Sequence, residues 1–192
     1  MGGISPVRTV TVGAAYAAFV LIVALFKNKE ITPPNASFAI IVPIALGIAF
    51  RSALGLLNMG YLHFWLLFVY AWGSDIGAYF TGKFLGRHKL ASALSPKKTV
   101  EGFVGGIILS LAVAAVSVIV FTTTPVAQIN WLKLVPTSIV FSVAGTVGDL
   151  TASYVKRYFG IKDYGKIMPG HGGIMDRFDS VVMIAPLMYI FF

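Results

Sequence analysis

The sequence contains no cysteine, and only seven of its 192 residues are acidic. Without cysteine there is no disulfide framework and no thiolate chemistry, although this leaves the redox compartment undecided. Charged residues make up 11% of the chain and hydrophobic residues 57%, and the mean hydropathy is +0.85. A composition this poor in charge excludes an ordinary water-soluble globule, because most of the apolar surface has to face lipid. The sequence therefore predicts an integral membrane protein.

Long apolar runs predict about six membrane spans, since ~20 apolar residues cross the ~30 Å of hydrocarbon. The first five runs are 9–26, 36–50, 61–80, 102–121 and 134–155. Arg51 and the glycines that follow it are expected to end the second span. The last uncharged stretch, 180–192, reaches only ~20 Å, so the sixth helix has to begin near Gly172 or Gly173. The predicted fold is an all-α, polytopic helical bundle with a polar cleft open to the cytoplasm.

The net charge of +8 is explained by loops that set the topology and contact anionic membrane lipids. Twelve of the fifteen basic residues fall in the loops after spans one, three and five. By the positive-inside rule this face is cytoplasmic and both termini lie outside. No cleavage site follows the first run, so we expect it to remain as a span. Without an interleaved soluble basic domain, nucleic acid is excluded as a partner.

Four acidic residues lie within or beside the apolar runs: Asp75, Asp149, Asp176 and Asp179. A carboxylate in hydrocarbon costs several kcal/mol unless it faces water or a cation, so each is a functional candidate. The alternative, a helix-end residue that reaches solvent, has most weight for Asp179. Asp149 lies two turns before the cytoplasmic Lys156, a depth that suits a water-filled cleft.

The glycine-rich stretch "PGHGGIMDRFDS" predicts a phosphate site. Glycines let backbone N–H groups approach an anion, and the helix that follows adds its partial positive charge. Basic residues on the same side, together with spare carboxylates, call for phosphate plus a divalent metal. For Mg²⁺ we choose Asp149 and Asp176 as ligands and keep Asp75 and Asp179 as further candidates. His171 is expected to donate a hydrogen bond to phosphate rather than to bind metal.

"SPKKTVEG" is a second basic constellation, at the start of the fourth span. Pro96 fits a first helical turn after Ser95, and Lys97 and Lys98 place two ammonium groups where a phosphate would arrive. The alternative is a topological anchor, but topology does not need the adjacent Glu101.

These motifs resemble a known family. "SYVKRYFGIKDYGKIMPGHGGIMDRFD" is similar to the signature of the phosphatidate cytidylyltransferases, also called CDP-diacylglycerol synthases. "SDIGAYFTGKFLGRHKL" and "SPKKTVEGFVGG" resemble the preceding blocks of that family, so the resemblance covers about 71–192. No repeat or linker in the sequence indicates a second domain, so we predict one domain, 1–192, with N-terminal helices in 1–60 and a catalytic region in 71–192.

The resemblance implies that the phosphate of phosphatidic acid attacks the α-phosphorus of CTP, giving CDP-diacylglycerol and pyrophosphate. The implied cofactor is Mg²⁺, with a second, monovalent cation as a further candidate. The implied location is the plasma membrane, with the site facing the cytoplasm, and a homodimer is a further hypothesis. The implied catalytic residues are Lys156, Lys162, Asp163, His171 and Arg177. The implied substrate-binding residues are Ser95, Lys97, Lys98, Glu101, Ser153, Arg157, Gly172 and Gly173.

The chain departs from the family pattern at Ala152, where members usually carry Glu, and its N-terminal part is short. Losing that carboxylate is expected to weaken metal binding or activity. Three alternatives stay open. The chain could act on another lipid phosphate or a polyprenol, as CDP-archaeol synthases and CTP-dependent polyprenol kinases do. It could be a small ion transporter built on Asp75 and Asp149, which leaves "PGHGG" unexplained. A protein without activity is supported only by Ala152.

Overall fold

The computed structural model describes residues 6–92, 94–121, 131–165 and 173–192. In these ranges the chain forms helices and one two-stranded hairpin. In chain order these are α1 (Pro6–Phe26), α2 (Pro33–Met59), α3 (Tyr61–Phe68), a π-helical turn (Val69–Gly73), α4 (Ser74–Leu85), β1 (Lys89–Ala91), β2 (Ser95–Thr99), α5 (Val100–Phe121), α6 (Trp131–Tyr158) and α7 (Met175–Phe191).

Four of the described helices are long and apolar enough to cross a membrane, which confirms an all-α membrane protein. They lie at 9–26, 33–59, 100–121 and 132–158. α3, the π-helical turn and α4 follow one another over 61–85, and α7 has 17 residues. The count of six spans therefore stays a prediction.

The second span is longer than predicted, because Arg51 does not end it. α2 continues to Met59, with Arg51 exposed on its surface. The helix ends where Gly60 adopts φ 142°, a conformation that favours glycine. The predicted break at Gly60 is confirmed, but the expectation that Arg51 already ends the span was wrong, since one exposed Arg in a helix costs little.

The segment before α5 is a hairpin, so the prediction that Pro96 lies in a first helical turn was wrong. β1 pairs with β2 antiparallel, with Lys89 opposite Thr99 and Ala91 opposite Ser95. α5 begins at Val100, and the Thr99 hydroxyl accepts a hydrogen bond of 3.1 Å from the Gly102 N–H. Thr99 is thus the N-cap of α5.

Glycine also ends α6. Gly160 has φ 65°. Its N–H donates to the Arg157 carbonyl at 3.1 Å, and the Ile161 N–H donates to the Lys156 carbonyl at 2.9 Å. This pair of bonds is a Schellman motif, which satisfies the last carbonyls of the helix.

The chain divides into two units, Met1–Ile48 and Ala49–Phe192. In the first, the Tyr16 hydroxyl donates to the Ala39 carbonyl at 2.8 Å and links α1 to α2. The second holds every described residue of the predicted site. That the whole chain acts as one functional domain stays a prediction.

Polar pairs cross the apolar core of the second unit. Ser110 of α5 and Ser142 of α6 are buried and 2.8 Å apart. The indole N–H of Trp65 donates to Ser117 at 3.0 Å. Such interhelical hydrogen bonds are typical of membrane helices, in which apolar contacts alone give little preference for protein over lipid.

α4 and α5 pack closely enough that a methyl group at Gly106 would lie 2.5 Å from the Ser74 carbonyl oxygen. We expect Gly106→Ala to lower stability by ~1–3 kcal/mol and so to lower the melting temperature in detergent. The matched control is Gly47→Ala, because nothing lies within 4 Å of a methyl group there. Equal melting temperatures for the two variants would contradict this packing.

Candidate active site

Three carboxylates from three helices meet in the second unit. Asp75 lies in the first turn of α4, Asp149 in α6 and Asp179 in α7. The charge of Asp149 acts on both Asp75 and Asp179. Ser180 lies between Asp75 and Asp179, since its hydroxyl oxygen is 3.5 Å from a carboxylate oxygen of each. Its N–H also donates to Asp179 at 2.8 Å.

The hairpin brings a cation to this cluster. The Lys98 ammonium nitrogen lies 2.5 Å from Asp149 Oδ2. Both side chains are mostly buried, with 21% of Lys98 and 26% of Asp149 exposed. An ion pair that is largely withdrawn from water is stronger than a surface pair, because solvent screens it less.

Asp176 forms a second ion pair, which also joins two segments of backbone. Its Oδ1 accepts from the Lys156 ammonium at 2.8 Å. Its Oδ2 accepts from the Tyr164 N–H at 2.8 Å and from the Gly173 N–H at 3.0 Å. Tyr164 follows α6 and Gly173 precedes α7, so this carboxylate ties together the ends of the stretch that carries "PGHGG".

Tyr164 also contacts the Lys156–Asp176 ion pair and α6 through its side chain. The Lys156 ammonium lies 5.3 Å from the centre of its ring, within the range of a cation–π contact. Its hydroxyl donates to the Ala152 carbonyl at 3.1 Å. Burial raises the pKa of the Tyr164 phenol, and the charges of Asp176 and Asp179 raise that pKa further. The phenol therefore stays protonated and remains a donor.

Asp179 links the two ion pairs electrostatically, because the charges of both Asp149 and Lys156 act on it. The structure thus brings together the predicted residues Asp75, Asp149, Asp179, Lys98 and Lys156. Asp176 joins them through Lys156.

Glu101 organises the hairpin. Its carboxylate accepts from the Arg87 N–H at 3.1 Å, from the His88 N–H at 3.2 Å and from the His88 ring at 2.6 Å. These contacts hold the beginning of the hairpin against the first turn of α5. Its predicted role in substrate binding stays a prediction.

The other predicted residues differ in their exposure, and two of them lie outside the described ranges. Ser95 and Ser153 are half-buried, and Arg177, whose carbonyl accepts from the Trp72 indole at 3.2 Å, is exposed. His171 and Gly172 lie outside the described residues. The predicted residues that are also exposed are Lys97, Arg157, Lys162 and Asp163.

Sequence reasoning missed Ser180, Tyr164 and His88. Ser180 could have been predicted as a site residue, because it directly follows Asp179 on a helix that carries acidic residues in an apolar run. Nothing local to Tyr164 or His88 predicts their partners, because those contacts depend on how distant segments pack.

The residues present fit a hard divalent cation by their chemistry. Within the described ranges no three His, Asp or Glu side chains are already arranged as a ligand set. The donors are nevertheless all carboxylate oxygens, which Mg²⁺ prefers. Both carboxylates predicted as ligands, Asp149 and Asp176, already attract a cation in the form of a lysine ammonium group.

Comparison with known proteins gives a family match over nearly the whole chain. The model of a family described as "Cytidylyltransferase family" matches residues 3–192. A phosphatidate cytidylyltransferase of Staphylococcus saprophyticus is 44% identical over 156 residues, which cover 81% of this chain and 58% of that protein. One of Bacillus subtilis is 38% identical over 181 residues, which cover 92% of this chain and 65% of that protein. The chain thus spans about three-fifths of the length of these curated relatives.

Proposed function

Because the chain belongs to the cytidylyltransferase family, we propose that it transfers CMP from CTP to phosphatidic acid, forming CDP-diacylglycerol and pyrophosphate. One observation carries the proposal. The two carboxylates that fit a metal, Asp149 and Asp176, each pair with a lysine. Asp176 lies in the first turn of α7 and Asp149 in the last third of α6, where a charged lipid head group and a nucleotide can meet.

The reaction asks little acid–base chemistry of the protein. The attacking phosphate oxygen of phosphatidic acid is already an anion, so no strong general base is needed. Catalysis then depends on alignment of the two phosphates and on neutralisation of their charge. This matches a site built from lysines and carboxylates rather than from a nucleophile and its base.

In this proposal Asp149 and Asp176 hold Mg²⁺, with Asp75 and Asp179 beside them. The bound metal would supply positive charge to the phosphate oxygens. Lys98 and Lys156 lie next to these carboxylates, and their ammonium groups are candidates to donate to phosphate oxygens of the substrates. Arg157 and Lys162, which are exposed, would add positive charge for the triphosphate. His171, outside the described residues, keeps its predicted role as a hydrogen-bond donor to phosphate.

The proposed orientation places the site at the cytoplasmic face of the plasma membrane. The loops after spans one, three and five carry most of the basic residues. CTP would reach the site from water, while the lipid would arrive sideways from the bilayer.

The purified chain in detergent, given labelled CTP, phosphatidate and Mg²⁺, is expected to form a lipid-soluble cytidine product. Diacylglycerol in place of phosphatidate is the control, and it should give no product because it lacks the attacking phosphate. Ala152→Glu restores the carboxylate that the resemblance implies, next to a carbonyl that already binds Tyr164. Absence of product from both the native chain and Ala152→Glu contradicts the proposal.

A further inference from the structure

Each of the two carboxylates chosen as metal ligands is bound by a lysine to which the proposed function gives a phosphate partner. Lys98 pairs with Asp149 and Lys156 pairs with Asp176. A lysine cannot serve fully as the partner of a ligand carboxylate and of a triphosphate at once, since its ammonium group is a compact charge with three donors. The same groups must therefore change partners when substrate binds.

Lys98 is the freer of the two lysines. Lys156 also lies over the Tyr164 ring and leaves 12% of its side chain exposed, whereas 21% of Lys98 is exposed. Lys98 is carried by β2 of a hairpin whose beginning is held by Glu101, so its backbone is fixed while its four-carbon stem can turn.

The charge around Asp149 favours a cation there at all times. The negative charge of Asp149 repels the charged forms of both Asp75 and Asp179, and Lys98 offsets that repulsion at Asp75. An uncompensated group of carboxylates in a half-buried site is costly. A lysine that can be displaced lets the cluster stay assembled before the substrate arrives.

We propose that Lys98 is an exchangeable counter-ion of Asp149: it holds this carboxylate in the free protein and moves to phosphate oxygens of CTP when a divalent cation takes its place. The inference rests on the proposed function and deepens it, since it gives Lys98 two successive partners. Without nucleotide, Lys98 competes with the metal for Asp149. When CTP is present, Lys98 contributes to CTP binding.

The test is a titration of the metal-free protein in detergent with Mg²⁺ alone. The melting temperature of the protein is measured at each Mg²⁺ concentration. Lys98→Met removes the competing charge, so the Mg²⁺ concentration at half-maximal stabilisation is expected to fall at least about fivefold, the low end of typical coupling between binding events. Lys98→Gln removes the same charge but keeps a polar end group, and it should shift the Mg²⁺ midpoint in the same direction. Lys89→Met, an exposed lysine of β1, is the matched control and should stay within about twofold of the native chain.

Binding of CTP at saturating Mg²⁺ supplies the second readout. Lys98→Met is expected to weaken CTP binding at least about fivefold, opposite in sign to its effect on Mg²⁺ alone. A merely structural lysine would weaken both, and a lysine that only binds phosphate would leave the Mg²⁺ midpoint unchanged. Either pattern overturns the exchange. The metal titration uses no nucleotide, so it fails or succeeds independently of whether the native chain makes the lipid product.

Discussion

Asp149→Asn is expected to lower the rate of CDP-diacylglycerol formation at least about a hundredfold, because even residues that only support a metal ligand cost 10–100-fold when removed. Asn keeps the shape of the side chain but loses the charge that holds Lys98 at 2.5 Å and that a divalent cation needs. The measurement is the initial rate at which lipid-soluble cytidine product forms. Circular dichroism measures the helix content of the same variant. The helix content should not change.

Thr151→Val is the matched control for Asp149→Asn. Thr151 lies on the same helix and is exposed, and its hydroxyl donates to the Val147 carbonyl of that helix at 2.8 Å. This variant should keep the native rate within about threefold, as expected for surface substitutions. A rate for Asp149→Asn close to that of Thr151→Val would remove Asp149 from the metal site.

Asp176→Asn is expected to lower the rate by a similar factor of at least about a hundred. It should also lower the melting temperature more than Asp149→Asn does. Asp176 accepts hydrogen bonds from Lys156 and from the N–H groups of Tyr164 and Gly173. An amide has only one acceptor oxygen, so its NH₂ group would face at least one of these donors. Loss of hydrogen bonds to a charged group costs ~1.5–3 kcal/mol each.

Met175→Leu, the neighbouring position at the start of α7, is the control for Asp176→Asn. It conserves volume and should leave the rate within about threefold of the native chain. The melting temperatures are measured without divalent cation, so that loss of the metal does not contribute. If Asp176→Asn melts like Met175→Leu, the carboxylate does not tie the two segments together.

The helices could be predicted because lipid makes a long apolar run unambiguous. α1, α5 and α6 fall close to the predicted runs, and α7 carries Asp176 and Asp179 on its first turns as expected. The end of α2 could not be predicted from Arg51, because an exposed charge near a helix end is tolerated. Gly60, with its positive φ, was the informative residue.

The hairpin could not be predicted, because Ser95–Thr99 contains a proline and two lysines and is a poor strand by propensity. Its pairing is supported by contacts that the local sequence does not contain. Glu101 holds the backbone of His88, and Thr99 caps α5.

The candidate site was partly predictable for the same physical reason as the spans. Asp75 and Asp149 stand out because a carboxylate in an apolar run needs compensation. Which lysine provides that compensation depends on the packing of distant elements. Lys98 and Asp149 belong to a strand and a helix that the sequence does not place side by side.

The central claim is that the α-phosphorus of CTP moves to the lipid, and two labelled preparations of CTP test it directly. The native chain is given phosphatidate and CTP labelled either at the α-phosphorus or at the γ-phosphorus. Transfer of CMP predicts that the α-label enters the lipid together with the cytosine base, one for one, and that the γ-label leaves as pyrophosphate. Entry of the γ-label into the lipid, as a CTP-dependent kinase would give, contradicts the claim.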